Sequence, residues 1–171
     1  MTKINRLTIH GFKSFAHKTE VPFNNEFNCI LGPNGSGKSN IGDALCFVLG
    51  RISAKSMRAE KAANLIFNGG KKNKPASAGS VEIEFCNKNK VFPMEDKEVV
   101  VNRTITKKGS STYRVNGQRK TRSEVVDLLS HGKINPDGYN VILQGDITRF
   151  VTMSPVERRK VIEEISDVAI Y

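Results

Sequence analysis

The sequence has no apolar run approaching the length that spans a bilayer. Its N-terminus lacks the apolar core of a secretion signal. A cytoplasmic protein with no membrane partner is the expectation. Cysteine is scarce. The three residues, Cys29, Cys46 and Cys86, are odd in number and widely spaced, which excludes a disulfide framework and a zinc ligand set. They read as reduced thiols, two of them in segments expected to be buried. No internal repeat and no low-complexity stretch is present. Hydrophobic residues make up 38% of the chain, which is low for a self-contained domain and points to one that another segment completes. Acid is also short, with 17 Asp and Glu against 27 Lys and Arg in 171 residues, a net charge of +10.

That charge is concentrated rather than spread. Residues 51–80 hold seven Lys or Arg (Arg51, Lys55, Arg58, Lys61, Lys71, Lys72 and Lys74) against Glu60 alone. Residues 107–122 hold six (Lys107, Lys108, Arg114, Arg119, Lys120 and Arg122) and no acid. Two basic patches suit a polyanion such as nucleic acid, although solvated basic loops have the same composition.

The most informative stretch is Gly32-Pro33-Asn34-Gly35-Ser36-Gly37-Lys38-Ser39, which fits G-x-x-x-x-G-K-[ST]. Glycines let the backbone turn tightly so that successive N–H groups point inward. Those groups and the start of a following helix make an anion site. The lysine reaches β- and γ-phosphates and the serine hydroxyl holds Mg²⁺. The context agrees. Residues 27–31 (Phe27-Asn28-Cys29-Ile30-Leu31) read as a short buried strand. Ile41, Ala44, Leu45, Val48 and Leu49 recur as one face of a helix, with Gly50 as its C-cap.

Around this centre the chain alternates between strands and turns. Residues 3–9 read as a strand and 10–15 as a turn carrying Lys13. Residues 18–23 return as a second strand, stopped at Pro22. Residues 61–67 suit a short helix with Leu65, Ile66 and Phe67 inward. Val81, Ile83 and Phe85 alternate with Glu82 and Glu84, and residues 99–105 and 113–115 are further strands. Lys108-Gly109-Ser110 and Asn116-Gly117 are hairpin turns. Ser123 is the expected cap of a helix ended by Gly132, and residues 135–138 form a turn. Residues 141–143 read as an apolar strand. Ser154-Pro155-Val156-Glu157 is a capping box opening a helix with a narrow apolar stripe, Val161, Ile165 and Val168, suited to the root of a coiled coil. No apolar run ends in Asp-Glu, the acidic element of a hydrolytic phosphate-loop site, and Asp146 is a poor substitute.

In one order the chain carries Gly11-Phe12-Lys13-Ser14-Phe15, the phosphate loop followed by Asn40, Ser56-Met57-Arg58, Leu65-Ile66-Phe67-Asn68-Gly69, Val141-Ile142-Leu143-Gln144-Gly145-Asp146 and Ser154-Pro155-Val156-Glu157-Arg158-Arg159. This set resembles the N-terminal head segment of a structural maintenance of chromosomes (SMC) ATPase, most of all the archaeal ones, over essentially the whole chain. The resemblance implies an α/β fold: an ABC-type P-loop ATPase lobe with a mixed sheet around the loop's helix and an antiparallel hairpin region. The lobe would cover residues 1–153, with a coiled-coil helix starting at 154–171.

The resemblance also implies roles. ATP would lie on Gly32, Pro33, Asn34, Gly35, Ser36, Gly37, Lys38, Ser39 and Asn40. Lys13 and Ser14 would lie along the α-phosphate, and Leu65 and Ile66 near the base. Ser39 and Gln144 would hold Mg²⁺. Lys38, Gln144 and Arg58 would serve hydrolysis. Lys61, Arg119, Lys120 and Arg122 would meet duplex DNA through its backbone, without sequence preference. The missing acidic element and the signature motif would come from the C-terminal half of the same protein and from a second head. Kleisin and accessory subunits would join them at the chromosome. Three other readings remain open at this point: a coiled-coil ATPase of double-strand-break repair with a nuclease partner, a transporter ATPase subunit, and a nucleotide-independent DNA-binding module.

Overall fold

The computed structural model describes all residues except 1, 25–26, 55–56, 71–72, 137, 139–140, 143–151 and 166–171. Six strands make one sheet: β1 (Lys3–His10), β2 (Thr19–Pro22), β3 (Ala78–Cys86), β4 (Glu98–Thr106), β5 (Ser111–Val115) and β6 (Gln118–Lys120). Their order across the sheet is β2-β1-β3-β4-β5-β6, and every pairing is antiparallel. Among the described residues the helices are α1 (Lys38–Leu49), α2 (Arg122–His131) and α3 (Pro155–Ile165), with a 3₁₀ turn at Ala62–Leu65.

The period-2 pattern of the sequence sets the register. Val81, Ile83 and Phe85 of β3 are fully buried, while the residues between them are half-buried. In the β1–β3 ladder Leu7 lies opposite Ile83 and Ile9 opposite Val81, so four apolar side chains meet on one face. Helix α1 crosses that face over β3 and β4, burying Ala44, Cys46, Phe47, Val48 and Leu49. Phe47 packs on Phe12 with ring centroids 5.1 Å apart. Burying a side chain of this size contributes about 2–3 kcal/mol. The opposite face carries Glu84, which takes Asn5 and Arg6, the latter at 2.7 Å. Val125 and Leu129 attach α2 to the core.

The turns follow the chemistry of their residues. Asn116 and Gly117 link β5 to β6 with φ of 45° and 82°, the left-handed pair that a two-residue hairpin requires. Gly50 closes α1 at φ 115°, its N–H reaching Cys46 O and Phe47 O. Ser154 and Glu157 cap α3 reciprocally, with Pro155 first in the helix.

Three expectations are corrected. Helix α2 is capped by Thr121, not Ser123: Thr121 accepts from Glu124 N–H while the Glu124 carboxylate takes the Thr121 N–H. Thr121 follows directly on β6 and so sits at the corner where the chain leaves the sheet. Residues 27–31 are not in a strand. Phe27 is 87% exposed and Leu31 86%, because neither edge of the described sheet pairs with them. Cys29 is accordingly exposed, whereas Cys46 is buried. Of residues 141–143, only Val141 and Ile142 are described; neither is in a strand, and Ile142 is exposed.

Candidate functional site

The exposed loop 32–36 leads into α1. Gly37 is the N-cap residue at φ 97°, and Gly35 precedes it at φ 81°. Both conformations are ones that residues with a Cβ avoid. A Cβ on Gly37 would stand 3.0 Å from Ser14 Oγ, and one on Gly32 would stand 2.8 Å from Ser36 Oγ. The backbone is therefore as tight as an anion cradle requires, and it leads into the N-terminus of α1, the end of a helix that attracts anions. Lys38 folds back over the loop, donating from Nζ to Gly32 O at 2.7 Å and Pro33 O at 2.8 Å. Ser39 lies exposed in the first turn. A cradle of backbone amides, an ammonium and an exposed hydroxyl is a donor set that fits a phosphate chain with its Mg²⁺. Among the described residues, no group of three or more His, Cys, Asp or Glu could hold a metal by itself.

Beside the cradle two loops converge on one carboxylate. The turn 12–15 closes through Phe12 N–H to Phe15 O and the reverse pair, with Lys13 at φ 47°. It is braced by residues 65–67, since Lys13 N–H donates to Leu65 O and Phe67 N–H to Gly11 O. Arg58, in the loop after α1, sits at φ 55°. Lys13 Nζ and Arg58 Nη2 both donate to Asp43 Oδ2, Arg58 at 2.5 Å. Lys13 also donates to Met57 O at 2.5 Å. Asn40 completes the connection, donating to Ser14 Oγ at 2.8 Å and accepting from Arg58 Nη2 at 3.4 Å.

The structure brings Lys13, Ser14, Asn40 and Arg58 together beside the loop and adds Asp43, which the sequence reading did not name. Its signal was present: the one acid of α1, four residues after Ser39 and directly before the helix's apolar run. The Lys13 ammonium is directed to Asp43 and Met57. Leu65 and Ile66 are buried beneath the site, 1% and 6% exposed. Gln144 lies outside the described residues. Arg103 was also missed, although it interrupts the alternation Val99, Val101, Ile105. It lies between the rings of Phe47 (4.2 Å) and Tyr113 (4.8 Å) and donates to Phe47 O and Arg51 O, the C-terminal carbonyls of α1 and the loop beyond. Burial lowers its pKa and raises that of Tyr113.

The cations expected at DNA are distributed as follows. Lys61 is exposed just before the 3₁₀ turn. Arg119 and Lys120 lie on β6 at the sheet's edge, Lys120 being paired with Glu124 at 3.1 Å. Arg122 opens α2, and its Nε donates to Gly50 O at 2.7 Å. Lys107 joins Ala63, Asn64, Ile66, Phe67, Asn68, Pro75 and Ala76 around a hollow of about 330 Å³. The start of the second basic stretch thus adjoins the middle of the first.

Comparison with known proteins places the chain among relatives. The model of the RecF/RecN/SMC N-terminal domain family matches residues 3–154. The chain is 51% identical to the chromosome partition protein Smc of Pyrococcus furiosus, over 100% of the chain and 15% of that protein. It is 45% identical to the Smc of Aquifex aeolicus, over 98% of the chain and 14% of that protein. It therefore spans about one seventh of the length of these relatives. The Smc head domain of P. furiosus with an extended coiled coil, bound to the C-terminal domain of ScpA, superposes with a TM-score of 0.93 at 50% identity, covering 99% of this chain and 43% of that one. A structure from work on ATP-driven dimerization and DNA-stimulated activation of SMC ATPases gives a TM-score of 0.88 at 50% identity, covering 95% and 98%.

Proposed function

Because the chain belongs to the RecF/RecN/SMC N-terminal domain family, we propose that it is the ATP-binding half of an SMC head. The observation that carries this reading is the position of Lys38. Its ammonium already rests on two loop carbonyls, Gly32 O and Pro33 O, and on binding would exchange them for β- and γ-phosphate oxygens. The backbone of 34–39 receives the phosphates. Ser39 and Gln144 would hold Mg²⁺, which neutralises and orients the phosphate chain.

Hydrolysis requires more than this segment. No Asp-Glu closes an apolar strand in the sequence. The exposed Phe27 and Leu31 immediately before the loop suit cover by another segment. The C-terminal half of the same protein supplies that cover and the acidic element, and a second head caps the γ-phosphate. Head engagement of this kind drives DNA binding and chromosome segregation, with residues 154–171 opening the coiled coil. A ScpA-type kleisin joins the complex, duplex DNA is held through Lys61, Arg119, Lys120 and Arg122, and the protein works in the cytoplasm on the nucleoid. The matched relatives are chromosome partition proteins, which favours this reading over a repair ATPase with a nuclease.

The test is ATP turnover by the chain alone and mixed with its C-terminal segment, with and without duplex DNA, each repeated with Lys38→Ala. Turnover only in the mixture, lost in Lys38→Ala, is the expected result. Turnover by the chain alone would refute the divided site.

A further inference from the structure

We propose that Asp43 is a positioning residue for the nucleotide: it holds one amino group of Arg58 so that the rest of the guanidinium faces the phosphates. The inference rests on the ATP-binding reading above and adds a residue and a division of labour to it. Asp43 stands one helical turn behind Ser39 on the same side of α1. Its side chain is 2% exposed, so its charge must be compensated.

Two cations meet it, and they are unequal. Lys13 is 11% exposed and also donates to Met57 O, next to Arg58 in the chain. It neutralises Asp43 and fastens the 57–58 backbone to α1. Arg58 is 45% exposed and is one cation more than neutrality requires. Among the described residues, only its Nη2 is bonded, to Asp43 and Asn40, and Nη1 and Nε meet no partner among them. The guanidinium is joined to the loop through Asn40 and Ser14, whose Oγ borders Gly37. Both Lys13 and Arg58 hold left-handed backbone conformations, the kind that surrounding structure must impose and that concentrates at functional sites. A planar fork can keep one arm on a carboxylate and offer the other to a phosphate; an ammonium, a point charge, cannot hold that geometry.

The experiment uses the complete protein carrying this segment, with Asp43→Asn, Arg58→Lys, Arg58→Ala and Asp43→Asn/Arg58→Ala. ATP·Mg²⁺ affinity, KM, kcat and melting temperature are measured for each. Asp43→Asn and Arg58→Lys should each raise Kd and KM for ATP about tenfold. In Asp43→Asn the loss should fall mainly on KM, and in Arg58→Lys on KM and kcat together, because Arg58 also serves hydrolysis. Asp43→Asn should add nothing once Arg58 is alanine. An Arg58→Lys protein with the parent's KM, or an Asp43→Asn loss of equal size with and without Arg58, overturns the proposal. If Asp43→Asn does not fold, Arg58→Lys decides alone: a tenfold rise supports the proposal and an unchanged KM overturns it. A parent that binds ATP no better than Lys38→Ala would instead overturn the ATP-binding reading, and this proposal with it.

Discussion

Replacing Gly37 with alanine separates the loop's backbone geometry from the stability of the fold. At φ 97° a Cβ is strained wherever it points, at a cost of about 1 kcal/mol. Here it would also stand 3.0 Å from Ser14 Oγ, which accepts the Asn40 Nδ2 hydrogen bond at 2.8 Å. Making room for it shifts Ser14 by a few tenths of an ångström and strains that bond, at up to about 1 kcal/mol more. Gly35 is the control. Its φ is 81°, but a Cβ there meets nothing within 4 Å, so only the strain applies. For a chain of this length 1 kcal/mol lowers the melting temperature by about 3 °C. Gly35→Ala should therefore lose about 3 °C and Gly37→Ala more than that, up to about 6 °C, in calorimetry. Ser14→Ala, which removes the same hydrogen bond, should add little in the Gly37→Ala background. ATP binding, read by fluorescence with a labelled analogue, should weaken at least about tenfold in Gly37→Ala, because the first N–H groups of α1 no longer converge. Equal melting temperatures for the two glycine variants would refute the steric argument, and unchanged ATP affinity would refute the cradle.

Thr121→Ala removes a capping box and should cost about 1 kcal/mol, read from urea denaturation. The Thr121 backbone N–H, its hydroxyl and then Lys120 hold the Glu124 pKa down at about 2, from the usual 4.5. A depressed carboxylate stabilises the fold above about pH 4.5 and loses that contribution as pH falls toward 2, so Glu124→Gln should flatten the stability curve in that acid range. Arg103→Lys keeps the charge but loses the stacked fork between Phe47 and Tyr113; a destabilisation of about 2 kcal/mol is expected by calorimetry. Lys61→Ala and Arg119→Ala should each reduce the slope of log affinity against log salt for duplex DNA by about 0.9, equally for unrelated sequences, in anisotropy titrations.

The strands were legible because their side chains alternate. Val81, Ile83 and Phe85, or Tyr113 and Val115, state in sequence which face is buried. The phosphate loop was legible because glycines at those spacings have few other uses. Residues 27–31 misled, since a continuous apolar run describes a buried strand only when a neighbour exists, and the neighbour is not among the described residues. Asp43 and Arg103 were passed over because periodicity asks which residues are apolar. Each is a charged group at an apolar position, and only its partners give it meaning: Lys13 and Arg58 for one, two aromatic rings and the end of α1 for the other. The Thr121 cap was misplaced by two residues because Ser123 offers the same hydroxyl; Glu124, three residues after Thr121 but next to Ser123, is what distinguishes them.

The order of the strands also bears on how the chain folds. From β3 to β6 every strand pairs with its immediate successor, so this meander can zip up through short hairpins. Strand β1 must instead find β3 across a long excursion, His10 meeting Ser80, and α1 lies inside that excursion. Closing the larger loop demands more chain entropy and comes later. The meander is thus a template formed before the nucleotide side of the molecule. Asp43, Lys13 and Arg58 all belong to that long loop, and their junction ties together three points of it that lie far apart in the chain.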